Sequence, residues 1–441
     1  MTIVAPATNI EATSNSFDRT LVMKLRLSRL GIAFLACSIS AGALQSCAPL
    51  NAGEFPTTAQ SADRRDIPPG IRTLGADDEY TVVPSAMVAE RLQVLRREAP
   101  LNILALSGGG AAGAFGAGAI VGLTRSGRRP QFAVVTGVSA GALIAPYAFL
   151  GSAWDRELTE IYTSGVGEQL LKSRGLGAMF GSSMYRGSPL RQLVDRFATD
   201  TMIRAIASEA SKGRLLLVAT TDFATGEPVV WDLGAIAMHG GPNARTRFRD
   251  VLVASASVPG IFPPIVLQVR ENGVAHNELH VDGAVTVPFF VAPSPADLPG
   301  DGGGGNPDAL YIIIDGQLRE APRTTPLRAS AIVTRSVGQA MSRMTRTTLE
   351  LTATTAQQRG IALDYAAIPA GYPYHDPFDF RAATVSTLFR YAAECAEHGR
   401  LWTAFQQAGD SSTDSRGSTP RGAECPADDT SIPLSAGSAG L

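Results

Sequence analysis

"LNILALSGGGAAGAFGAGAIVGL", residues 101–123, carries a short apolar run, Leu101–Leu106, through three consecutive glycines into a helix-length segment of small residues. A strand that runs into a helix leaves backbone N–H groups unpaired at the helix start. Glycines let that backbone turn sharply and approach a ligand closely. The helix dipole adds roughly half a positive charge there. The turn therefore favours an anion. Gly108, Gly110 and Gly113 also satisfy G-x-G-x-x-G, the dinucleotide fingerprint. A nucleotide-binding or regulatory protein is thus one reading, and a tight packing turn without a ligand is another.

The next element separates these readings. A dinucleotide site needs an acid about 20 residues on, at the end of the second strand. The second apolar run, Phe132–Val135, ends without one and leads into "TGVSAGALIAPYAFL" (136–150). Gly137-Val138-Ser139-Ala140-Gly141 is G-x-S-x-G between a strand and a helix, the setting of a nucleophile elbow. Small flanking residues permit the strained turn that pushes a serine hydroxyl out of the sheet. Gly108, Gly109 and Gly110 then read as an oxyanion hole, their N–H groups aimed at a tetrahedral intermediate.

A serine needs a proton acceptor. The five histidines are His239, His276, His280, His375 and His398. The order Ser, acid, His would leave His375, in a Pro-rich loop, or His398, in a charged helical stretch. Asp282 is the other candidate: it closes an apolar strand in "HVDGAVTVPFF" (280–290) and is followed by Gly283. "HNELH" (276–280) places two histidines around Glu278, but H-x-E-x-H is not a zinc-helix spacing, and Asn272-Gly273 before it reads as a hairpin turn. No metal and no cofactor is expected.

Four blocks in order, Gly108–Gly113, Gly137–Gly141, Ser255–Pro264 and Asp282–Ala284, resemble the patatin-like phospholipases over about residues 100–290. The resemblance implies a three-layer α/β/α fold with a largely parallel central sheet. It implies a serine acyl hydrolase cleaving lipid carboxylic esters through a Ser-Asp dyad, with Ser139 as nucleophile and Asp282 as base. It implies oxyanion donors at Gly108, Gly109 and Gly110, and motif glycines at Gly137, Gly141 and Gly283. Where many family members carry a basic residue after the glycines, this chain has Ala111 and Ala112. A patatin-like domain that binds lipid without turnover is the remaining alternative.

The chain has 441 residues, 45 % of them apolar and 18 % charged, and a formal net charge of −2. That composition supports a large core and offers no basic stripe for nucleic acid. From Met23, "MKLRLSRLGIAFLACSISAGALQSCAPL" shows a basic start, an apolar stretch over Leu30–Leu44, and Leu44-Gln45-Ser46-Cys47, similar to a lipobox. The expectation is export and lipid attachment at Cys47, with the protein facing the periplasm and acting on lipid esters at a membrane surface. Cys395 and Cys425 either pair in that compartment or remain thiols.

Residues 1–47 read as an upstream extension and signal, 48–98 as a tether with a leading helix, 99–406 as the hydrolase domain, and 407–441 as a disordered tail. Strands are expected at 101–106, 132–136, 214–221, 265–269, 278–282 and 310–315. Helices are expected at 85–97, 111–125, 140–150, 154–163, 188–198, 201–211, 246–256, 327–350 and 384–406, an alternation that means an α/β layered domain. Residues 170–187 read as either a cap over the site or a plain connector.

Overall fold

In the computed structural model, residues 70–405 are described, apart from 76–77, 85, 99, 172–182, 272, 293–307, 320–321, 323 and 375. The opening stretch forms β3 (Asn102–Leu106), which turns through a 3-10 segment, Gly110–Ala112, into helix α2 (Gly113–Arg125). The other strands are β1 (Gly70–Leu74), β2 (Tyr80–Pro84), β4 (Val134–Val138), β5 (Leu215–Asp222), β6 (Glu227–Asp232), β7 (Ile265–Glu271), β8 (Val274–Asp282), β9 (Ala309–Gln317), β10 (Ala362–Ile368) and β11 (Thr403–Ala404). The other helices are α1 (Ala86–Glu98), α3 (Ala140–Leu150), α4 (Asp155–Thr163), α5 (Ser188–Phe197), α6 (Asp200–Ala210), α7 (Leu233–His239), α8 (Gly241–Ser255), α9 (Ala329–Gln358) and α10 (Ala382–Glu397).

The strands make one mixed sheet in the order β11-β10-β9-β3-β4-β5-β6-β1-β2-β7-β8, with a further pairing of β5 to β8. Its centre, β10-β9-β3-β4-β5, is all parallel. These strands are continuous apolar runs because helices cover both faces. On one face α2, α3, α5, α6, α8 and α10 bury Phe115, Ile144, Val194, Ile206, Phe248 and Phe389. On the other, α1 and the end of α9 bury Val88, Leu92, Leu349, Ala353 and Ala356.

The small residues of α2 have a packing role. A Cβ on Gly118 would lie 2.1 Å from the Phe389 carbonyl oxygen, and one on Gly122 would lie 2.2 Å from that of Ala393. Only glycine lets α2 and α10 come this close.

Several expectations are corrected. Residues 70–84, expected within the tether of 48–98, form strands: β1 and β2 pair antiparallel and join β6 and β7. They fold because Ile71, Leu74 and Tyr80 are buried and the Tyr80 hydroxyl donates to the Arg247 carbonyl at 2.7 Å. Strands β6, β10 and β11 and helix α7 were not anticipated. The helix expected at 384–406 stops at Glu397, and the one expected at 327–350 continues to Gln358. The signal segment, Cys47, Cys425, His375 and the centre of the segment expected at 170–187 lie outside the described residues.

Candidate active site

One edge of β5 brings the two ends of the site together. Strand β4 runs parallel to β5 and ends with Val138 opposite Ala219. Strand β8 approaches the same edge from the other direction, with Asp282 opposite Thr220. Ser139 follows β4 and Asp282 closes β8, so adjacent positions on β5 bring the residues face to face. Ser139 Oγ donates to Asp282 Oδ2 at 2.5 Å, across 143 residues of sequence.

The turn at Ser139 is strained. Ser139 has φ 54° and ψ −119°, and Asp78 is the other described non-glycine residue with positive φ. Such a conformation costs on the order of 1–3 kcal/mol and persists where the surroundings enforce it. Here the neighbours leave no alternative: a Cβ on Gly141 would lie 2.4 Å from the Leu106 carbonyl oxygen, and one on Gly137 would lie 2.6 Å from that of Gly141.

The Ser255–Pro264 block, singled out in the sequence without a role, supplies a clamp that holds the turn. Ser255 Oγ accepts from the Ser139 N–H at 3.0 Å and donates to the Ala219 carbonyl at 2.7 Å. Two residues on, the Ser257 carbonyl accepts from the Asp282 N–H at 2.9 Å. Ser255-Ala256-Ser257 thus fixes both members of the pair. The signal was two serines at the end of an apolar helix, which reads equally well as an ordinary helix terminus.

Asp282 is buried. Its Oδ1 accepts from the Ala284 N–H at 2.8 Å. Burial raises its carboxyl to about 7, against the hydrogen bonds from Ser139 and the Ala284 N–H, which lower it. A carboxylate in that range exchanges protons with its surroundings at neutral pH. Gly283 lies below it, where a Cβ would meet the Ala219 carbonyl oxygen at 2.5 Å.

The glycine turn departs from expectation at one position. The Gly108 N–H donates to the Pro288 carbonyl at 3.0 Å. It is therefore spent, and Gly108 serves instead as the gap that admits the Ser139 side chain. Among the described residues, the N–H groups of Gly109, Gly110 and Ala140 meet no protein acceptor. Beneath the turn sits Asp315, missed at the sequence level: its Oδ1 accepts from the Gly116 N–H at 2.8 Å, and its buried Oδ2 meets no partner among the described residues. Burial holds its carboxyl well above the usual range, although the Gly116 hydrogen bond opposes the shift.

The described histidines are occupied away from Ser139. His280 Nε2 meets Glu278 at 3.0 Å and its Nδ1 meets Thr220 Oγ1 at 2.9 Å. His276 Nε2 meets the other Glu278 oxygen at 3.0 Å. His239 pairs with Asp78, and His398 Nδ1 sits 2.8 Å from the Glu394 carbonyl. "HNELH" is a strand segment of β8 whose glutamate also takes Arg72 at 3.0 Å. Burial would raise the Glu278 carboxyl, but hydrogen bonds from both histidines and the Arg72 charge hold it well below its ordinary value.

From Ser139 a cavity opens between α3, α4, α5, α6 and α8. Its walls include Gly110, Ala140, Leu143, Pro146, Leu190, Val194, Phe197 and Phe262. Among the described residues no charged side chain lines it; Ser139, Tyr147 and Tyr162 supply side-chain hydroxyls. Such a cavity accepts a hydrocarbon chain and rejects ions.

Comparisons with known proteins bear on this site. Residues 104–293 match the model of the family described as patatin-like phospholipase. No curated protein matches the chain. Among solved structures, VipD from Legionella pneumophila is similar at 12 % identity and a TM-score of 0.34, over 77 % of this chain and 72 % of that one. The matched residues span β3, the glycine turn, the elbow, the Ser255 clamp and Asp282. The chain therefore carries a patatin-like phospholipase domain, whose general activity is lipid acyl hydrolysis.

Proposed function

We propose that Ser139 and Asp282 form the catalytic dyad of a lipid acyl hydrolase that works through an acyl-serine. The observation that carries this reading is the buried Ser139–Asp282 pair at 2.5 Å, with Ser139 in the wall of a cavity whose described lining carries no charged side chain. Asp282 accepts the Ser139 proton as Oγ attacks the ester carbonyl. The N–H groups of Gly109, Gly110 and Ala140 stabilise the oxyanion, while the acyl chain lies along Leu143 and Val194. Protonated Asp282 then gives its proton to the leaving alcohol. Water, deprotonated in turn by Asp282, attacks the acyl-serine; the Asp282 proton returns to Ser139 Oγ as the fatty acid leaves. The histidine positions described above favour a dyad over a triad.

The test is Ser139→Ala, with folding checked by circular dichroism. Ester hydrolysis should fall below about one per cent of the parent, because loss of a nucleophile costs orders of magnitude. Turnover above that level overturns the assignment. Export and acylation at Cys47 belong to the same reading, supported by the basic run from Lys24 and by Leu44-Gln45-Ser46-Cys47. Intact-mass analysis of the native protein should give a mature chain starting at acylated Cys47. A different start with an unmodified Cys47 removes that part.

A further inference from the structure

Helix α9 is longer than its place in the fold requires. It links β9 to β10, two parallel neighbours of nine and seven residues. At ~3.3 Å per residue these strands span about 30 and 23 Å. The helix has 30 residues and at ~1.5 Å each spans about 45 Å. Its buried residues, Leu349, Ala353 and Ala356, all lie in the C-terminal part. From Ala331 to Thr348 no side chain is buried. The helix begins beyond the end of β9, and β3 and β4 run parallel to β9. The overhanging half therefore projects at the end of the sheet that carries the glycine turn and Ser139.

That half turns apolar residues outward. Val333, Val337 and Met341 recur every four residues, one stripe of a helix, and are 61 %, 53 % and 40 % exposed. Leu351 continues the outer face, and Leu327, just before the helix, is almost fully exposed. A row of large apolar side chains in water marks a docking surface. The charge around it points to the occupant. From Leu327 to Leu351 the chain has four arginines and one acidic residue, Glu350. Two copies pairing through this face would bring like charges together, whereas an anionic lipid surface is complementary.

We propose that the overhanging half of α9 docks the protein on an anionic bilayer. It sets the Val333–Val337–Met341 stripe into the interface and turns the catalytic end of the sheet toward the lipid. The proposal rests on the reading of the chain as a lipid hydrolase, and its test separates the two. The mature chain, from Cys47, is made by cell-free synthesis, so that no lipid is attached and the apolar Leu30–Leu44 segment is absent, and carries Ser139→Ala, so that vesicles are not consumed. It is floated with vesicles of phosphatidylcholine containing about a third phosphatidylglycerol. Combining Val333→Gln, Val337→Gln and Met341→Gln should lower partitioning about tenfold or more, and raised salt should weaken binding of the parent. Glutamine keeps the helix, and circular dichroism confirms folding.

Equal partitioning of parent and variant overturns the proposal. So does equal binding of the parent to pure phosphatidylcholine. A parent that sediments as a dimer while the variant is a monomer assigns the face to a second copy instead. In parallel, both forms with Ser139 restored are assayed on a water-soluble short-chain ester. Equal turnover places the stripe outside the chemistry. Absence of turnover in both defeats the hydrolase reading, while vesicle binding still decides docking.

Discussion

At the residue scale, Asp282 must lose its proton to work as a base. Burial raises Asp282 to about 7, so the protein binds that proton more tightly folded than unfolded between its ordinary value and about 7. Two effects follow with opposite signs. Activity should rise with pH on an acid limb centred near 7, read as kcat/KM against pH for a soluble ester. The contribution of Asp282 to stability should fall over the window from about 4 to 7, because ionising a buried carboxyl opposes folding. Asp282→Asn should therefore abolish nearly all turnover yet melt at the same or a higher temperature than the parent at pH 8. A loss of stability at pH 8 would mean that the carboxylate holds the fold.

Ser255→Ala belongs to the same scale. It removes the acceptor of the Ser139 N–H and the donor to Ala219, leaving buried groups unpaired at about 1–3 kcal/mol. Chemical denaturation should show that loss, and kcat should fall more than KM rises as the elbow loosens. Ser139 and Asp282 were legible because a small-residue elbow and an acid closing a strand are local patterns with a chemical purpose. The clamping role of Ser255, inside a block that was recognised, and the place of Asp315 were not, because they lie in contacts across 116 and 199 residues. The spent N–H of Gly108 was equally hidden, since its acceptor is the carbonyl of Pro288.

At the scale of elements, α2 and α10 meet through glycine. Gly118→Val should force the two helices apart, destabilising the protein by about 1–3 kcal/mol or more, whereas Gly371→Ala, in open space, should be silent. Denaturant midpoints check both, and a tolerated Gly118→Val would contradict the close approach. The units β3–α2 and β4–α3 were readable because apolar runs switch there from strand to helical spacing. Strand β6 was not: "EPVVWD" is short and begins with an exposed glutamate and proline, and its place comes from pairing with β5 and β1. Strands β1 and β2 lie in a Pro- and Asp-rich stretch whose few apolar residues gain meaning only against β6 and β7.

For the whole molecule, the sheet supplies the convergence and the helices supply the cavity. Val194→Trp, which places a large ring in the cavity wall, should shift the preferred ester toward shorter acyl chains while leaving the shortest esters nearly unaffected; a uniform loss at all chain lengths would indicate damage to the dyad. The layered architecture followed from the alternation of strands and helices. The closure of β5 onto β8, which brings Asp282 to Ser139, did not, because antiparallel return strands leave no spacing rule between distant segments. In the proposed dyad Ser139 attacks and Asp282, not a histidine, takes its proton. The most direct measurement is peptide mass analysis after a fluorophosphonate reacts with the parent, Ser139→Ala, Asp282→Asn and the five single histidine variants at pH 8. The account predicts one adduct, on Ser139, in the parent and in every histidine variant, with labelling lost in Ser139→Ala and slowed by orders of magnitude in Asp282→Asn. Labelling elsewhere, or one histidine variant that fails to label while Asp282→Asn labels normally, would contradict it.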